Sequence, residues 1–267
     1  MPARGVQSAM RDLGYPAVVA IVLGSGVVGA GLAWLTRRLV RLEVLRHHHE
    51  VGSAAFLQLG VVFAVLLAFV FSEVWSEYNI ASGSIDGEAS ALNGIVMLSQ
   101  SLPPQARHRV GTLMATYLDD VVMREIPDMR QRRSSDQAED EFQALWSGVA
   151  ALPVAEGERQ LVLSRMEDLM SQAHQNRDMR LYQMTKGVPV LLWVLLLAFT
   201  AVLIGFLLFC AVEYLVSQMV FIGVFAACLV FILLLVHLLD FPFEGVLRLD
   251  DGPFLETRAK VAAMPSD

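Results

Sequence analysis

Cysteine is nearly absent: the 267 residues hold two, Cys210 and Cys228. Two thiols do not make the framework of a disulfide-stapled secreted module, and both fall in or beside long apolar runs. Charge is scarce as well, at 18% of residues against about 25% in an ordinary soluble domain. The formal balance of −7 lacks the basic footprint of a nucleic-acid binder. Strand-like alternation, internal repeats and low-complexity tracts are missing. So are the catalytic signatures: there is no nucleophile elbow, no phosphate-cradling glycine loop and no metalloprotease helix motif. No enzyme, cofactor or metal centre is therefore expected.

The residues that are abundant are apolar: 55% of the chain, with a mean hydropathy of +0.52. The excess sits in four blocks, 15–35, 51–71, 187–209 and 220–239. A helix crossing the hydrocarbon layer needs roughly 20 mostly apolar residues, because backbone polar groups find no water there. Each block meets that requirement. The first carries Gly24, Gly26, Gly29 and Gly31, which are costly in a soluble helix but permit close helix contact in lipid. It reads as a span rather than a signal peptide, being long and followed by Arg37, Arg38 and Arg41.

Between the second and third blocks lies the one sizeable polar region, 72–186; tails 1–14 and 240–267 close the chain at either end. The polar region predicts helices. Val110, Leu113, Met114, Tyr117, Leu118 and Val121 form an apolar stripe behind Pro103 and Pro104. Phe142, Leu145, Trp146 and Val149 form a second, and Val162, Met166, Leu169, Met170 and Ala173 a third. The polar run Pro127–Gln137 reads as a loop, with Arg130, Arg132 and Arg133 able to touch acidic partners or headgroups. The fold class is therefore all-α: a polytopic membrane protein with four transmembrane helices, two hairpins at 15–71 and 187–239, and a helical extramembrane domain. Spans two and three are expected to run on into that domain.

Basic residues leave the orientation open. Arg37, Arg38, Arg41 and Arg46 favour a cytoplasmic first loop. Arg4, Arg11, Arg177, Arg180, Lys186, Arg248, Arg258 and Lys260 favour the other side.

Ionisable residues at membrane depth are functional candidates, because lipid burial is expensive. His237 and Asp240 share a helical face and read either as a proton-sensitive pair at a pore mouth or as a histidine reaching the headgroups. The tract His47, His48, His49 and Glu50 reads as a metal ligand set or as a solvated loop. Adjacent positions diverge on a helix, which favours the loop. Glu73 and Glu77 lie one turn apart beyond span two, beside the interfacial candidates Trp75 and Tyr78. They read as a cation-attracting carboxylate ring in an oligomer or as a solvated face.

Two local motifs carry a family resemblance. Span two ends Leu67-Ala68-Phe69, followed by Trp75, Tyr78-Asn79 and Ala81. After span four the chain reads Asp240-Phe241-Pro242-Phe243-Glu244-Gly245. With Glu88-Ala89 and Leu102-Pro103, the layout resembles the bestrophin-like membrane family, a bacterial group distantly similar to bestrophin anion channels. Val70 stands where bacterial bestrophins have arginine, and Glu244 splits their proline-phenylalanine-glycine step. The resemblance implies an oligomeric ion channel, a pentamer if it follows bestrophins, with span two lining the pore. Carried over from Leu67-Ala68-Phe69, the apolar neck would be Val61, Val65 and Phe69. Partners would then be the lipid bilayer, further copies of the chain and small inorganic ions, with no nucleic acid. The location would be the plasma (inner) membrane, with the helical domain cytoplasmic. The alternative from the polar region alone is a membrane-anchored sensor or scaffold whose helical domain binds a protein.

Overall fold

The computed structural model describes residues 14–39, 49–152, 158–209 and 214–264, with backbone alone at 49–54 and 158–159. His47, His48, Cys210, Arg41 and Arg46 of the first loop, and residues 1–13 of the N-terminal tail lie outside the described residues. Among the described residues every regular element is helical. In chain order these are α1 (Tyr15–Leu39), α2 (His49–Ser99), α3 (Pro104–Asp120), a π-helical turn (Val121–Glu125), α4 (Ile126–Met129) and α5 (Asp136–Ala150). Next come α6 (Glu158–Thr185), α7 (Val190–Phe209), α8 (Leu215–Leu239) and α9 (Gly252–Ala262). Four of them, α1, α2, α7 and α8, are long and apolar enough to cross a membrane.

The chain divides into two units, Met1–Ser76 with Gly187–Leu247 and Glu77–Lys186 with Arg248–Asp267. In the first unit, α1 and α8 meet along a seam of small residues. A Cβ built at Gly223 would lie 2.9 Å from the Gly26 carbonyl oxygen, and one at Gly29 would lie 2.9 Å from Ala226 Cβ. Without a strong hydrophobic drive between helices in lipid, such backbone proximity supplies the packing contact. Gly24 and Gly31 take no part, since nothing approaches within 4 Å of their built Cβ atoms. The seam ends in a hydrogen bond from Arg37 Nε to Gln218 Oε1 at 2.6 Å, and Gln218 in turn donates to the Leu208 carbonyl. Phe63 on α2 stacks on Phe199 of α7, with centroids 6.1 Å apart.

Span two does run on: α2 is 51 residues long, or about 76 Å at 1.5 Å per residue. Span three does not. A break at 186–189 separates α6 from α7, and the span begins at Val190 rather than at Gly187. Pro189 is the cause, because it lacks an N–H, clashes with the preceding turn and pushes Val188 out of helical geometry.

In the second unit the three expected stripes are the core. Val110, Met114, Tyr117, Leu118, Phe142, Leu145 and Met166 are fully buried. Pro104 opens α3 as expected, in the first turn where its missing N–H costs nothing. The stretch expected as a loop is partly helical: α4 occupies Ile126–Met129, and α5 already starts at Asp136. There Ser135 Oγ accepts the Ala138 N–H at 3.3 Å, and Asp136 and Glu139 complement the helix dipole. Residues 252–262 also belong to this unit. In α9, Phe254 is fully buried and the Thr257 hydroxyl donates to the Ala89 carbonyl at 3.3 Å.

Candidate functional site

Helix α2 has two faces. Phe63, Leu67, Val70, Val74, Ala81, Ile85, Leu92 and Ile95 are buried, at the three- and four-residue spacing of one side of a helix. Opposite them, Val61, Val65 and Phe69 are 57%, 51% and 72% exposed. The three expected neck residues therefore share one open face. That face continues through Ser72, Ser76, Asn79, Gly83, Asp86 and Ser90, all exposed. It is apolar at one end and polar at the other, and a Cβ at Gly60 or Gly83 would meet nothing within 4 Å.

The residues just past span two do not act as one group. Glu73 is exposed, whereas Glu77 accepts an ion pair from Lys186 Nζ at 2.6 Å. Trp75 is half exposed and stacks on Phe71, with centroids 6.4 Å apart. Tyr78 is half-buried, and Asn79 turns to the open face.

The turn after α8 is tightly built. Asp240 is buried, and its Oδ1 accepts the Val188 N–H at 2.8 Å, a donor released by the break before α7. His237 lies between Trp193 and Phe241, whose rings approach edge to face at 5.8 and 5.3 Å. Pro242 and Phe243 are buried, and Gly245 has φ 69°, a left-handed conformation that costs glycine little. Of the histidine tract, only the backbone of His49 and Glu50 is described. Among the described residues no group of three His, Cys, Asp or Glu side chains is placed to hold a metal.

The second unit contains a charged centre that apolar periodicity does not single out. Arg180 Nε donates to Glu88 Oε2 at 2.9 Å and its Nη2 to Glu125 Oε2 at 2.7 Å, while Arg177 Nη2 donates to Glu125 Oε1 at 2.6 Å. Arg177 also bonds Glu139, and the Tyr117 hydroxyl donates to Glu88 Oε1 at 2.5 Å. Arg177, Arg180, Glu88, Glu125 and Tyr117 are at most 1% exposed. Burial alone would pull the Arg180 guanidinium down, but Glu88 and Glu125 hold it above its ordinary value. Burial, reinforced by Glu88 and Glu125, pushes the Tyr117 phenol well up, which keeps it a neutral donor. The Gln143 hydrogen bond and Arg177 hold the Glu139 carboxyl below the usual range.

The sequence does carry a signal for this centre. Arg177 and Arg180 continue the stripe Val162, Met166, Met170, Ala173 by steps of four and three, so they face the core. Both belong to the basic set flanking span three. Being buried, they drop out of the orientation count.

Four apolar helices of spanning length joined to an all-helical second unit define a polytopic α-helical membrane protein. The Bestrophin-like domain family matches residues 23–254, and the chain belongs to that family. A crystal structure of a single-substitution variant of a bacterial bestrophin homolog from Klebsiella pneumoniae matches with a TM-score of 0.69 at 15% identity. The match covers 90% of this chain and 97% of that one. A second structure of a K. pneumoniae bestrophin homolog, phased on zinc, matches at 0.67 and 13% identity, over 90% and 97%. At these identities the likeness is one of fold. No curated protein matches the sequence.

Proposed function

We propose that the chain is the subunit of a homo-oligomeric ion channel in the plasma (inner) membrane, built as a pentamer like bestrophins. In this reading α2 lines the pore from each copy, Val61, Val65 and Phe69 form stacked apolar rings at the neck, and the helical domain forms a cytoplasmic vestibule. The observation that carries it is the open face of α2. A long transmembrane helix buries one side against its own chain and leaves a continuous opposite face that passes from apolar to polar. Rings of apolar side chains gate by dewetting, and a polar continuation suits hydrated ions. Closed symmetry would bring that face from every copy to one axis.

The test is ion flux through the purified oligomer in a planar bilayer. Phe69→Ala should widen the constriction and raise the unitary conductance. If wild type and a triple Val61→Ala, Val65→Ala, Phe69→Ala variant both stay silent as folded oligomers, the pore reading is wrong. The helical domain would then be screened for protein partners.

A further inference from the structure

Within the second unit, α3 and α9 leave a cleft of about 230 Å³ between them. Arg107, His108, Gly111 and Thr112 form one wall, and Val261 and Met264 stand on the other. The α3 wall follows from helical spacing, since positions four apart stack on one face. Among the described residues no acidic side chain lines the cleft.

The polar part of the lining is cationic and unanswered. Arg107 is half-buried and His108 exposed, and neither side chain has a hydrogen-bond or ion-pair partner among the described residues. By contrast, Arg177 and Arg180 are matched by buried carboxylates, and Arg258 on α9 is held by Asp119. The Thr112 hydroxyl already donates to the His108 carbonyl at 3.0 Å, which leaves the guanidinium and the imidazole as the available donors. Both sit near the start of α3, where the helix dipole adds positive potential.

The rest of the lining is apolar and roomy. Val261 is buried and Met264 half-buried. A Cβ built at Gly111 would lie 3.6 Å from Met264 Sδ, an ordinary van der Waals contact. An alanine would therefore fit, so packing does not demand glycine at a helix position where glycine is unfavourable. What Gly111 supplies is space, because a longer side chain there would occupy the cleft.

We infer that this cleft binds a small organic anion, a carboxylate carried on a short apolar body. The planar guanidinium fork matches a carboxylate, and the Val261 and Met264 side covers the apolar part. At about 30 Å³ per water, the cleft has the volume of roughly eight waters, the scale of benzoate rather than of a nucleotide. Inorganic anions lack the apolar body, and neutral molecules lack the charge. The site belongs to the second unit and stands apart from the pore reading.

The experiment follows isotope-labelled methionine methyl signals of the full-length protein in lipid nanodiscs during titration with benzoate. Met264→Leu assigns the signal of interest, and the Met166 and Met170 methyls in the core report the fold of each variant. The ring current of bound benzoate should shift the Met264 methyl saturably at millimolar concentration. Benzyl alcohol and inorganic phosphate should leave it in place. Arg107→Gln should weaken benzoate binding roughly tenfold, the worth of one charge-assisted hydrogen bond. Gly111→Leu should abolish the shift by filling the cleft. A Met264 methyl that does not saturate with benzoate, that answers benzyl alcohol or phosphate equally, or that keeps its benzoate affinity in both variants would overturn the assignment.

Discussion

Replacing Arg180 with methionine tests whether the buried charge centre holds the helical unit together. The substitution keeps most of the side-chain volume, so the cavity term is small and the electrostatic term dominates. It removes the fork on Glu88, at 2.9 and 3.2 Å, and the 2.7 Å bond to Glu125. Both carboxylates would stay fully buried, Glu88 with the Tyr117 hydroxyl and Glu125 with Arg177. Breaking a buried pair by removing one partner costs about 3–5 kcal/mol, because the other charge is left uncompensated. The residual partners put Arg180→Met toward the lower end of that range. With about 2–4 °C per kcal/mol for a chain of this size, thermal unfolding in detergent micelles should come down by roughly 10 °C. Adding Glu88→Gln removes one of the stranded charges, so the double variant should recover a large part of the loss. A single variant that melts within about 2 °C of wild type, or a double variant that melts lower still, would refute this reasoning.

Other perturbations test the same geometry. Gly223→Leu would drive a side chain into the Gly26 backbone, 2.9 Å from the built Cβ; overpacking costs about 1–3 kcal/mol, and a lowered melting temperature with the second unit unchanged is the expected result. Asp240→Ala strands the Val188 N–H beside the α6–α7 break and should cost about 1–3 kcal/mol, whereas Asp240→Asn, which keeps the acceptor, should cost less. The Glu139 carboxyl is held low in the folded chain. Its contribution is therefore present above the ordinary carboxylate range and lost as pH falls through the depressed value, so Glu139→Gln should flatten the acid limb of a stability-versus-pH curve.

Much of this architecture is legible in residue spacing, and the exceptions have physical causes. The four spans and the three core stripes can be read because apolar burial imposes a period that sequence displays directly. The length of α2 is legible too, since no proline interrupts 49–99. The continuity expected between α6 and span three fails on Pro189, whose effect on the backbone outweighs the apolar run after it. The π-helical turn at Val121–Glu125 has no sequence marker, and it is what carries Glu125 into the core beneath Arg177 and Arg180. Arg177 and Arg180 themselves sit on a readable stripe. A reading that reserves cores for apolar residues passes over them, because buried cations occur only where carboxylates from distant segments meet them. For the proposed neck, spacing puts Val61, Val65 and Phe69 on one face, but only the fold separates an open face from a packed one.

The seam between α1 and α8 also bears on how the protein is made. Arg37 and Gln218 are 181 residues apart in the chain. At about 5–20 residues per second, α1 waits on the order of ten to forty seconds in the membrane before its partner helix is synthesised. Throughout that interval its glycine face lacks the α8 surface on which it packs in the folded chain. Substitutions along Gly26, Gly29 and Gly223 should therefore weigh most heavily on newly made chains. Their cellular signature would be rapid turnover by membrane quality control, while the molecules that do mature keep the fold of the second unit.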